Sequence, residues 1–155
     1  MRPKKVILLV DHNPDSFSLR KFLIETRGYR VLGSESAYDA LDIVKASEPF
    51  AIDLAIVECL LPRMDGNELA RRMKETKPLL PIMLIAEEWC SFGAHTFADC
   101  FLAGDSLTPM EMLERVRILV CRKRGPRKTS PIRYDLKPCD VFPVNNHGTT
   151  IQDAV

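Results

Sequence analysis

No stretch of this chain stays apolar for long: its longest runs, VILLV from Val6 and LLPIMLIA from Leu79, fall far short of the roughly 20 residues a membrane helix needs. The first residues also lack a secretory hydrophobic region, so the expectation is a cytoplasmic protein. Cysteine is scarce and oddly numbered. Cys59, Cys90, Cys100, Cys121 and Cys139 form no CxxC pair, which argues against a disulfide framework or a zinc site and for reduced, structural thiols. Net charge is nearly absent at +1, yet it is unevenly placed. Residues 122–155 hold seven Lys/Arg against three Asp/Glu, which leaves fifteen against eighteen in residues 1–121. Such a split marks a solvated linker or an interaction arm next to an acidic body.

With 155 residues and 46% hydrophobic content, there is enough apolar material for one compact domain and a tail. The body alternates short apolar runs with amphipathic stretches. Val6 to Val10 reads as a strand buried on both faces and ending at the polar Asp11-His12-Asn13-Pro14. Asn13 caps a helix with Pro14 at its first position; Phe17, Leu19, Phe22 and Leu23 supply its apolar positions, and Gly28 ends it. Tyr29 to Gly33 is a second strand, followed by a helix capped by Ser36 that carries Ala37, Ala40, Leu41 and Val44. Leu54 to Val57 is a third buried strand, after which Pro62 and Asp65-Gly66 turn the chain into a helix with Leu69 and Met73.

Pro81 to Ala86 predicts a fourth strand and Cys100 to Ala103 a fifth; between them Trp89, Phe92 and Phe97 suggest a short or irregular helix. Thr108-Pro109-Met110-Glu111 has the form of a capping box, opening a last helix that carries Met112, Leu113, Val116, Leu119 and Val120. Five β-α units of this kind predict a doubly wound parallel sheet covered on both faces. In that architecture functional groups collect at the carboxyl ends of the strands, which singles out Asp11, His12, Glu58, Ala86 and Gly104.

The segment DLAIVECLLPRMDG at 53–66, with VILLVDHNPDS before it and FLAGDSLTPMEML after it, resembles the receiver domain of two-component response regulators over roughly residues 4–122. The resemblance implies a flavodoxin-like (βα)5 fold. It also implies a site built from an acidic pair, a phospho-accepting aspartate, a hydroxyl residue, a lysine and a switch aromatic. At those positions this sequence has Asp11 and His12 for the acidic pair, Glu58 for the acceptor, Ala86 for the hydroxyl residue, Gly104 for the lysine and Phe101 for the aromatic. Pro62, Asp65 and Gly66 keep the offsets of the family's motif turn.

Most of these replacements remove a function. Glu58 pushes its carboxylate one methylene outward, and in-line attack tolerates little displacement. His12 offers an imidazole where magnesium prefers oxygen. Ala86 has no hydroxyl and Gly104 no ammonium for a phosphoryl oxygen. No cofactor is therefore expected, and magnesium binding should be weakened or lost. The alternative donor set is Asp11, His12 and Glu58, an imidazole with carboxylates that suits zinc but lacks a second histidine. Without a hydroxyl at position 86, Phe101 reads as a packing residue.

The expected organisation is a receiver-like domain at 1–122, a basic linker at 123–131 and a tail at 132–155 that is either a short β-hairpin or disordered. Arg122 to Lys128 carry five positive charges, but no recognition helix follows, so nucleic-acid binding is not expected of the residues present. Trp89, Phe92 and His95 offer a partner surface in a shortened fourth helical region. The function expected is a non-enzymatic signalling module, a degenerate (pseudo-)receiver acting by protein–protein interaction with an unidentified partner such as a histidine kinase or a second copy of itself. Alternatives are an active phospho-acceptor and the receiver part of a DNA-binding transcriptional regulator.

Overall fold

The computed structural model describes residues 3–87 and 96–121. Five parallel strands form one sheet: β1 (Val6–Val10), β2 (Arg30–Ser34), β3 (Leu54–Glu58), β4 (Ile82–Ala86) and β5 (Cys100–Ala103). Their order is β2-β1-β3-β4-β5, the flavodoxin-like arrangement, in which chain direction across the sheet reverses between β1 and β3. Every residue of β3 and β4 is buried, as continuous apolar strands covered on both faces require.

Four helices are described: α1 (Pro14–Thr26), α2 (Ala37–Ala46), α3 (Gly66–Thr76) and α4 (Pro109–Cys121). They cover the sheet on two sides. One core gathers Leu8, Val57 and Leu84 of the sheet with Ala40, Val44, Leu69 and Met73 of α2 and α3. The other gathers Leu9, Ile56 and Ile85 with Ile24 of α1 and Met112, Val116 and Leu119 of α4. The fourth helical region expected around Trp89, Phe92 and His95 lies outside the described residues, as do the basic linker and the tail.

Side chains close the helix starts, at Asn13, Ser36 and Thr108 as the sequence predicts and at Asp65 in addition. Asn13 accepts from the Asp15 and Ser16 amides, Ser36 from Tyr38 and Asp39, Asp65 from Glu68, and Thr108 from Glu111. The capping box at α4 is only half realised, because the Glu111 carboxylate accepts from Arg115 at 2.8 Å. Two other expectations change. The second strand runs one residue later than Tyr29 to Gly33, since Val6 to Val10 pairs in register with Arg30 to Ser34. In α1, Leu19 and Phe22 are exposed, and the fully inward positions belong to Arg20 and Ile24. A hydrophobic pattern cannot foresee a buried arginine, because burial of that charge depends on partners from other elements.

Candidate functional site

Asp11 follows directly on β1, Glu58 ends β3 and Glu87 follows β4, so parallel pairing brings three carboxylates to the same end of the sheet. Arg20 reaches them from the middle of α1. Its Nη1 donates to Asp11 Oδ2 at 2.6 Å and to Glu58 Oε1 at 3.2 Å, and its Nη2 donates to Glu87 Oε2 at 2.9 Å. The guanidinium fork suits this work, since one planar group presents several fixed N–H directions. The Arg20, Asp11 and Glu58 side chains are almost wholly enclosed, whereas that of Glu87 is 66% exposed.

Asp11 is held from its own loop as well. Its Oδ1 accepts from the Asn13 amide at 2.9 Å and its Oδ2 from the Ser16 hydroxyl at 2.6 Å. Glu58 sits in a poorer environment. Burial pushes its carboxyl above the ordinary value; Arg20 opposes that shift, while the neighbouring charges of Asp11 and Glu87 add to it.

The turn after β3 packs tightly. Gly66 donates its amide to the Cys59 carbonyl at 2.8 Å. A Cβ on Gly66 would overlap the Glu58 carbonyl and lie 2.9 Å from the Cys59 Cα. Asp65 caps α3, and Pro62 lies in the same turn. The sequence DLAIVECLLPRMDG thus brings the start of α3 against the backbone that carries Glu58.

The remaining sequence-selected positions are spread around this cluster. Ala86 closes β4 and is buried beside Ala103. Phe101 is buried in the α2/α3 core. His12 is exposed. Gly104 begins a 3-10 turn with φ +57, and a Cβ there would meet no atom within 4 Å. Among the described residues no group of three or more His, Cys, Asp or Glu side chains is arranged to hold a metal ion. Cys59 and Cys100 are buried and Cys121 is exposed. No described helix is long and apolar enough to cross a membrane.

A cavity of about 220 Å³ adjoins the cluster, reaching Arg20, Glu87 and Gly104 between α1 and the start of α4. A larger one of about 280 Å³, lined by Val44, Phe50, Ile52 and Leu80 among others, lies at the opposite end of the sheet, and none of the clustered carboxylates reaches it. Arg20 and Glu87, which complete this cluster, are not among the positions that the sequence singles out. Arg20 lies three residues after Phe17 and four before Ile24, on the inward face of α1, but nothing local to the helix announces the carboxylates that allow its charge to be enclosed.

Comparison with known proteins agrees with the topology. The chain is 25% identical over 135 residues to the alkaline phosphatase synthesis transcriptional regulatory protein PhoP of Bacillus subtilis (strain 168), covering 84% of this chain and 55% of that protein. It is 29% identical over 144 residues to the response regulator MprA of Mycobacterium sp. (strain KMS), covering 90% and 58%. This chain thus spans about half the length of the curated relatives it matches. Among solved structures, the CheY-like response regulator receiver domain protein from Methanospirillum hungatei JF-1 superposes with a TM-score of 0.68 at 23% identity, covering 76% of this chain and 94% of that one. The family described as response regulator receiver domain matches residues 7–97, more than half the sequence, and this chain belongs to that family.

Proposed function

We propose that this chain is a receiver-like module of a two-component or phosphorelay pathway that acts by binding a signalling protein, without a magnesium-dependent phosphoryl switch. The observation that supports this most directly is Arg20, whose guanidinium donates to both Asp11 and Glu58. Phosphoryl transfer to a carboxylate needs a free acceptor oxygen, cations on the developing charge and positioned donors. Here the acceptor position carries a glutamate bonded to arginine, the hydroxyl position is Ala86 and the lysine position is Gly104.

The donor set does not fit magnesium. That ion takes oxygen ligands in a near-octahedral shell and keeps several waters. Asp11 already accepts from Asn13, Ser16 and Arg20, and the guanidinium lies between Asp11 and Glu58. A divalent cation there would have to displace a buried, hydrogen-bonded charge.

Intact-mass measurement after incubation with acetyl phosphate, with and without magnesium, tests the reading. The expected outcome is an unchanged mass in both conditions. A magnesium-dependent gain of one phosphoryl group on Glu58 would replace this proposal with an active phospho-acceptor.

A further inference from the structure

Around Arg20 the described residues place three carboxylates, Asp11, Glu58 and Glu87, against one guanidinium. If all three are ionised, the cluster carries two negative charges in excess. Among the described residues, Glu87 is the exposed member of the cluster. Its side of the cluster opens into the 220 Å³ cavity, which is walled by Leu19, Leu23, Leu107, Pro109 and Met112. Gly104 also lines it, with no atom within 4 Å of where its Cβ would lie. The result is a short slot with largely aliphatic walls, lined on its polar side by the enclosed Arg20 and the exposed Glu87 carboxylate, with Asp11 and Glu58 behind Arg20.

The dimensions and chemistry select the occupant. Sites for drug-sized ligands measure roughly 300–1,000 Å³, so this cavity is better matched to a single side chain. An unbranched aliphatic stem ending in a cation buries its methylenes on apolar walls and presents its charge at the polar end. A carboxylate would instead compete with Glu87 for Arg20 while facing Asp11 and Glu58 behind it.

We propose that this slot is a docking site for a lysine side chain of a partner protein. The aliphatic stem packs against Leu19, Leu23 and Met112, and the ammonium pairs with Glu87 beside Gly104. The proposal builds on the reading of this chain as an interaction module, and it supplies in trans the positive charge that position 104 lacks.

The probe is Nα-acetyl-lysine methylamide, titrated into the full 155-residue chain while methyl resonances of Leu19, Leu23 and Met112 are followed by NMR. Saturable shifts are expected with the lysine probe and not with Nα-acetyl-norleucine methylamide, which has the stem without the charge. Glu87→Gln should weaken binding about two- to fivefold, the scale of a partly exposed ion pair. Gly104→Lys should fill the slot from within and abolish binding of the probe. Equal shifts from the norleucine probe would reduce the site to an apolar groove, and shifts with hexanoate alone would make it an anion site on Arg20. Either result overturns the proposal, as does a Gly104→Lys chain that is folded by circular dichroism and still binds. The titration does not depend on acetyl phosphate, so a phosphoryl adduct would sink the interaction-module reading without altering this outcome.

Discussion

Arg20 is a buried cation whose three carboxylate partners come from three different strand ends. Replacing it with methionine preserves much of the stem and leaves Asp11 and Glu58 enclosed without its charge. Breaking a buried pair from one side costs about 3–5 kcal/mol, so Arg20→Met should lower the urea midpoint at neutral pH by a corresponding amount. A change under 1 kcal/mol would show that the guanidinium contributes little net stability, as about that much is typical of exposed pairs. Glu58 gives a prediction in pH. Because burial raises its folded-state value, the folded chain holds this proton more tightly than the unfolded chain does. The associated stability is present below the ordinary carboxyl range and is lost as pH rises through the raised value. Glu58→Gln keeps an oxygen acceptor for Arg20 and no longer ionises. Its stability relative to the natural chain should therefore rise between acid and neutral pH in paired urea titrations; a relative fall would contradict the raised carboxyl.

At the scale of elements, the start of α3 fixes the backbone of the site. Gly66→Ala inserts a methyl against the Glu58 carbonyl and the Cys59 Cα, both main-chain atoms that cannot swing aside. A cost of about 1–3 kcal/mol is expected, as for other overpacked sites, together with shifted backbone resonances at Glu58 and Cys59. Wild-type stability and spectra in this variant would mean that α3 can retreat from β3 freely. The elements also show what could be read in advance. For α2 the apolar spacing, cap and buried residues agree with the sequence, because its inward face is wholly hydrophobic and locally encoded; in α4 the predicted apolar positions are buried too, with Arg115 enclosed beside them and bonded to Glu111 one turn earlier. In α1 the inward face includes an arginine, so the same spacing rule assigned Leu19 and Phe22 to positions that the fold leaves exposed. Asp11 and Glu58 could be selected because parallel strands put functional groups at their carboxyl ends. Their link to Glu87 spans 67 residues from Arg20 and exists only once β1, β3 and β4 are side by side.

For the whole molecule, the sheet order and the family match establish a receiver domain, and the proposed mode of action concerns how that domain is used. A folded-state magnesium site with a millimolar Kd would add about 1.4 kcal/mol of stability at roughly 10 mM ion. On the proposed reading, the thermal midpoint of the full chain should not move beyond the small ionic-strength effect given by an equal ionic strength of sodium chloride. A magnesium-specific rise would place a cation in competition with Arg20. The guanidinium bridge also bears on how this site can change over generations. Shortening Glu58 to aspartate takes one of its two acceptors from Nη1, and removing Arg20 first leaves two buried acids facing each other. Substitutions that would be mild in combination are thus costly singly, with couplings of about 0.5–3 kcal/mol expected between contacting members of such a cluster. The history open to this sequence is therefore one of concerted exchange, in which the order of mutations decides which descendants fold.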